Sequence, residues 1–150
     1  MLQGRYKRAF TMIELVFVIV VLGILAAVAI PKMAATRTDA EITKGRSDIS
    51  AIRSAILTER QSRIIKGQNS WISKLSDNST TLFTGDGTNT LLMYGIASGT
   101  TSGHWSATDT SYKKYAFKIG SSSCNFTYDS DSGKFDLDDN QDAICSELIK

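Results

Sequence analysis

The sequence predicts an α+β chain in which one long N-terminal helix, apolar in its first half and amphipathic in its second, packs on a small antiparallel sheet. Three observations carry that reading. The run from Phe10 to Ile30 holds a single charged residue, Glu14. Beyond it, isoleucines recur at helical spacing between Ile42 and Ile56. Near the C-terminus, Tyr115, Phe117 and Ile119, then Cys124, Phe126 and Tyr128, recur at the period of two that marks a strand. A length of 150 residues suits one domain.

Composition narrows the function classes. A charged fraction of 21% argues against a wholly disordered chain. One histidine and two cysteines exclude a multi-histidine metal centre and a four-cysteine zinc site. The net charge of +2 is unevenly spread. Residues 1–9 hold Arg5, Lys7 and Arg8 with no acid, which leaves 14 basic against 15 acidic residues in the rest. That balance argues against nucleic-acid binding by bulk charge. The cluster Lys113, Lys114 and Lys118 reads as a solvated strand face, with DNA contact as the rarer use. None of G-x-S-x-G, H-E-x-x-H, the P-loop or C-x-x-C is present, so the chain is read as a non-enzyme.

The first element is the apolar run, FTMIELVFVIVVLGILAAVAI. At a rise of ~1.5 Å per residue it spans about 30 Å, the thickness of a bilayer core. Valine and isoleucine favour strand in water, but in lipid only a helix satisfies its own amides. The three basic residues ahead of it place the N-terminus in the cytoplasm and the remainder outside. A secretory signal peptide is the competing reading, with Ala26, Ala27 and Ala29 as a crude cleavage site. The length of the run and the acid at its entrance count against it. A carboxylate within a spanning segment costs ~2.5–3.5 kcal/mol at its centre and less near an end. Glu14 thus either sits at the interface or has a partner in an assembly.

Ala9-Phe10-Thr11-Met12-Ile13-Glu14-Leu15, with a basic leader before it and Pro31 after it, resembles the type IV prepilin and pseudopilin signature. The likeness covers about residues 5–35. It implies a type IV pilin-like fold and removal of the leader by a prepilin peptidase, which cuts between Ala9 and Phe10 and N-methylates Phe10. Ala9 and Met12 stand where the family usually has glycine and leucine. The resemblance gives Glu14 the role of neutralising the N-terminal amine of a neighbouring subunit. It also implies that the helix loosens between Gly23 and Pro31 in a filament. Proline there removes one amide and crowds the carbonyl of Ala27.

The implied organisation is a leader at 1–9, a transmembrane and assembly segment at 10–31, an amphipathic helix at 32–67 and a globular head at 68–150. In the amphipathic part Ile42, Gly45, Ile49, Ile52 and Ile56 share a face, flanked by Leu57 and Ile64, and Gly67 supplies a stop. Residues 10–66 then make one helix of roughly 85 Å. Trp71 and Leu75 predict a short helix, Thr90–Ile96 a strand, and Gly99–Ser111 a loop. Gly120–Ser123 and Asp129–Gly133 read as turns between three or four antiparallel strands.

Cys124 and Cys145, the only cysteines, lie on the oxidising side of the membrane and are expected to pair. Two reduced, buried thiols are the alternative. Many type IV pilins close a C-terminal loop with such a bridge, which strengthens the disulfide. Inside the loop, Asp136, Asp138, Asn140 and Asp142 alternate as Ca2+ ligands do, and Glu147 falls at the twelfth place of an EF-hand count. Gln141 stands where that loop needs glycine, so no EF-hand is read. An acidic solvated turn is the first reading, and a calcium site of the kind some pseudopilins carry is the second.

The resemblance therefore implies a subunit of a type IV pilus-like filament. Alternatives are a type II secretion pseudopilin, a minor pilin of a DNA-uptake system, and a membrane-anchored periplasmic binding module. The implied partners are copies of the chain itself and other pilins, the prepilin peptidase and an inner-membrane assembly platform. The implied location is the bacterial inner membrane, followed by a periplasmic or surface filament.

Overall fold

The structure, a computed structural model, describes residues 10–150. In chain order the elements are α1 (Met12–Ile65), β1 (Thr81–Leu82), β2 (Ile96–Ala97), β3 (Trp105–Ala107), β4 (Lys114–Ile119), β5 (Ser122–Tyr128), β6 (Phe135–Leu137), α2 (Ala143–Ser146) and a 3-10 turn at Glu147–Ile149. The chain divides into two compact units, residues 1–37 and 38–150.

In the first unit the described chain is the opening part of α1. Its large apolar side chains, among them Phe17, Ile19, Leu22, Ile24 and Val28, are exposed, because this unit has no core of its own. The stretch Met12–Ile30 is long and apolar enough to cross a membrane. Residues 23–31 are helical throughout, so in the single chain neither Gly23 nor Pro31 interrupts α1.

The second unit is built around the later turns of α1. Ile49, Ile52 and Ile56 are buried on one face, as their spacing predicts, while Leu57 and Ile64 at its margins are exposed. Gly45 completes the buried face. A Cβ there would lie 2.6 Å from Leu148 Cδ2 and 2.7 Å from Phe117 Cε1, so glycine is what lets β4 and the C-terminal turn close on the helix. Those elements bring a four-stranded antiparallel sheet in the order β3-β4-β5-β6. Tyr115 stands opposite Phe126 and Phe117 opposite Cys124, which aims every second side chain of β4 and β5 into the core. β1 and β2 form a separate antiparallel pair.

Aromatic rings fill the space between helix and sheet. Phe83 lies 4.5 Å from Tyr115 between ring centroids, Trp105 lies 5.0 Å from Phe117, and Phe126 stacks on Phe135 at 5.4 Å. Such pairs add about 0.5–1.5 kcal/mol each beyond the area they bury. Phe83 has a positive φ of 61°, a strained choice for a bulky residue. A polar relay holds it there. The Tyr115 hydroxyl donates to the Tyr112 carbonyl, so the buried Ser76 hydroxyl donates to Tyr115 at 2.8 Å and accepts the Phe83 amide at 2.9 Å.

The polar side of α1 grips the loops. Trp105 Nε1 donates to Asp48 at 3.0 Å, Lys44 donates to the Gly103 carbonyl, and Ser102 and the Gly120 amide both donate to Glu41. Arg60 and Arg63 hold the Ser70 carbonyl, with the Arg60 guanidinium 5.0 Å from the Trp71 ring.

Three local expectations are corrected. Trp71–Leu75 forms bends rather than a helix, because Trp71 is spent against Arg60 and the Gly133 turn while Ile72 and Leu75 enter the core. Thr90–Ile96 is a loop, with only Ile96 in a strand. Leu91 and Leu92 donate separately to Thr84 and Phe83, which anchors the loop but makes no ladder. Conversely, the stretch read as loop contains β3, since Trp105 pairs with Phe117 and sits fully buried. Ser, Thr and Gly around Trp105 hide the strand from any periodicity test.

Candidate assembly site at the helix entrance

The site begins where the chain enters α1. Phe10 and Thr11 precede the first helical residue, and Phe10 is exposed. A helix start leaves its first amides without intrahelical partners. Here Thr11 is the N-cap and Glu14 the third helical residue, and the two close a reciprocal box. Glu14 N donates to Thr11 Oγ1 at 3.3 Å, while the Thr11 amide and hydroxyl both donate to Glu14 Oε2 at 3.1 Å. The carboxylate also lies at the positive end of the helix dipole, which favours a negative charge there.

The arrangement therefore keeps Glu14 hydrogen-bonded at the entrance of the otherwise uncharged stretch Met12–Ile30. In apolar surroundings a carboxylate without such donors is costly. Thr11 was not singled out from the sequence, although the spacing T-x-x-E before an apolar run carries the signal. Ala9, the other half of the expected cleavage site, and the basic leader lie outside the described residues.

Comparison with known proteins identifies the N-terminal segment. Residues 4–30 match the family model described as the prokaryotic N-terminal methylation motif. The chain carries, in its N-terminal segment, the methylation motif of prepilins and pseudopilins. It is 40% identical over 55 residues to type II secretion system core protein G of Pseudomonas aeruginosa, covering 37% of this chain and 39% of that protein. It is 36% identical over 62 residues to a fimbrial protein of Pseudomonas aeruginosa, covering 41% and 38%. With type II secretion system core protein G of Pectobacterium carotovorum subsp. carotovorum it shares 38% over 54 residues, covering 36% and 35%. The matches thus span less than two-fifths of each relative's length. No solved structure gives a significant match. The apolar helix and the motif together mark this prepilin-like chain as membrane-anchored.

In the head of this prepilin-like chain, Cys124 and Cys145 form a disulfide that ties β5 to α2, and both are buried. The loop they enclose does not gather its oxygens. Asp136 is drawn to Arg53 at 2.7 Å, Asn140 sits at a positive φ of 59° in the turn, and the Asp142 side chain makes no cap to α2. Among the described residues no three His, Cys, Asp or Glu side chains converge as a metal site would require. The arrangement gives the calcium reading no support.

Lys113 donates to Ser130, and Lys114 opens onto a groove shared with Asp129, Asp136, Asp138 and Asp139. Acids therefore surround Lys114, while Lys118 faces Gly99, Thr100 and Ser121. His104 is exposed, its Nδ1 within 3.0 Å of Thr101 Oγ1. Several carboxylates in the head titrate below their usual range. The Thr84 hydroxyl lowers Asp77, and the Lys150 ammonium lowers Glu147. Burial opposes the shift at Asp86, but the Asn89 amides and the Thr88 amide outweigh it.

Proposed function

We propose that the chain is a structural subunit of a type IV pilus-like filament. On this reading a prepilin peptidase removes residues 1–9 between Ala9 and Phe10 and N-methylates the new amine on Phe10. The subunit waits in the bacterial inner membrane with its N-terminus cytoplasmic and its head outside, and an assembly platform draws it into the filament by its apolar helix. The observation that carries this is the carboxylate of Glu14, held by Thr11 at the mouth of the run 10–30, which has no other charge and whose large apolar side chains are all exposed. A lone anchor needs lipid contacts only. A charged group at its entrance has a use when a neighbour's amine arrives to pair with it, because two charges buried together cost less than either alone. The pair sets axial register between subunits. Loosening of Gly23–Pro31 belongs to the filament state in this account.

The expected behaviour of Glu14→Ala is normal insertion and cleavage with polymer reduced to a small fraction of wild type. Intact-mass analysis of sheared surface material and washed membranes reads both steps. Abundant filaments from the variant would refute the assembly role, and an unprocessed chain in both fractions of wild type would refute the prepilin account.

A type II secretion pseudopilin is the second reading, favoured by the 40% identity to type II secretion system core protein G. Mature wild-type chain confined to membranes supports it, whereas abundance in the sheared fraction supports the surface filament.

A further inference from the structure

The sequence holds two N-x-S/T triplets, Asn78-Ser79-Thr80 and Asn125-Phe126-Thr127. Such a triplet is the acceptor pattern for asparagine-linked glycans, which are added to surface loops of secreted chains. The fold treats the two in opposite ways. Asn125 lies in β5, an inner strand of the sheet, opposite Ala116 of β4. Toward the other side its carbonyl accepts the Asp138 amide, and its own amide donates to the Gln141 side chain. Phe126 beside it is fully buried. Modifying Asn125 would mean opening the sheet. Asn78, Ser79 and Thr80 are all exposed, in the bends between Leu75 and β1.

A carboxamide nitrogen is a weak nucleophile, because its lone pair is shared with the carbonyl, and it needs activation by neighbouring groups. The turn at Asn78 supplies such groups at both ends of the amide. Asn78 Oδ1 accepts from the Thr80 hydroxyl at 3.0 Å, the Thr80 amide at 3.1 Å and the Thr81 amide at 2.8 Å. These donors draw electron density toward Oδ1 and make the Nδ2 protons more acidic. Nδ2 in turn donates to Asp77 Oδ1 at 2.8 Å, a carboxylate placed to receive a proton. The Thr84 hydroxyl holds that carboxylate at 2.8 Å. The Thr80 contact also gives the third position of the triplet its use, since a hydroxyl there reaches Oδ1.

We propose that Asn78 is an acceptor site for an asparagine-linked glycan, transferred from a polyprenyl-diphosphate-linked oligosaccharide by an oligosaccharyltransferase. In that step a bond forms between Asn78 Nδ2 and the anomeric carbon of the donor sugar, and the bond from that carbon to the diphosphate oxygen breaks. The polyprenyl diphosphate leaves with the electron pair, and one Nδ2 proton passes to a base, for which Asp77 Oδ1 is already in contact. The inference rests on the reading above in one respect, that the head lies outside the membrane. It goes beyond that reading by giving the head a modified surface.

The test uses the full-length chain in a bacterium that carries a prepilin peptidase, an oligosaccharyltransferase whose acceptor rule is N-x-S/T, and its lipid-linked glycan. After reduction, trypsin frees residues 75–113 with Asn78 and residues 119–134 with Asn125, because no lysine or arginine lies inside either stretch. The first peptide is expected to gain the mass of a single glycan and the second to gain none. Asn78→Gln is expected to abolish the gain. Thr80→Val keeps the backbone amides that hold the turn and removes only the hydroxyl, so the glycan is expected to be lost while the thermal midpoint of the head stays put. An unmodified 75–113 peptide from a chain whose Cys124–Cys145 bridge has formed would overturn the site and leave the outward head intact. An unmodified peptide together with free thiols at both cysteines would overturn both. A glycan on residues 119–134, or full occupancy in Thr80→Val, would equally sink the proposal.

Discussion

The two units use the same apolar residue types in opposite ways. In residues 10–30 valine, isoleucine and leucine cover the helix and stay exposed; in the later turns Ile49, Ile52 and Ile56 form one stripe and are buried. The head supplies its own partner for that stripe, an aromatic-rich sheet closed by a disulfide. The N-terminal unit supplies none, so its stability as a helix comes from internal hydrogen bonds, and its apolar surface needs lipid or neighbouring copies. The difference teaches where mutations act: substitutions in the head's core change folding, and substitutions on the exposed apolar helix change association.

That separation is open to attack in order of expected effect. Replacing Cys124 and Cys145 together by serine removes a cross-link across a sequence separation of 21. It is expected to cost the head about 3 kcal/mol. Denaturant titration of the detergent-solubilised chain reads the loss, and membrane insertion is expected to stay unchanged. Loss of insertion would mean that the units are not separable.

Ser76→Ala is next. It leaves the buried Phe83 amide without its acceptor and Tyr115 without its donor, at an expected cost of about 1–3 kcal/mol. A variant as stable as wild type would show that the strained Phe83 backbone does not depend on this relay.

Thr11→Val removes the N-cap hydroxyl while keeping the side-chain shape. The expected loss is about 1 kcal/mol at the start of α1. Amide exchange of Glu14 and Leu15 should quicken, and the thermal midpoint of the head should not move. A shift in the head would blur the contrast.

The smallest effect appears only in alkali. Burial pushes the Tyr128 phenol up to about 12, with Arg63 opposing, while its hydroxyl donates to the Ile72 carbonyl. An unfolded tyrosine titrates near ~10. Between those values the native state keeps a proton that the unfolded chain has lost, so stability is full below pH 10 and falls as the pH climbs toward 12. The buried Tyr115 is raised further and acts in the same direction. Tyr128→Phe is expected to flatten the slope of stability against pH between 10 and 12. An unchanged slope would mean that Tyr128 is not the group that titrates there.

Legibility followed the range of the interactions. The apolar run, the isoleucine stripe and the alternation in β4 and β5 are periodic, and each was readable because a neighbour three, four or two residues away shares its environment. The carboxylate at the helix entrance was readable for the same local reason, and its cap at Thr11 lies three residues away. Trp71 and Trp105 were not readable. Their structure is set by Arg60, Gly133 and Phe117, distant in sequence and interchangeable in composition with many other residues.

The sequence by itself determined that the chain carries a membrane-length helix bearing one acid, that an amphipathic helix follows, and that the only two cysteines lie beyond them. These follow from hydropathy and spacing, which need no knowledge of the fold. Only the tertiary structure decided which loop residues form β3, that Gly45 is the point of close approach, and that Asp136 turns to Arg53. It also decided that Met93 and Tyr94 face solvent. Each of those outcomes depends on which surfaces meet, and contact between distant segments is settled by packing volume and by the pairing of buried polar groups.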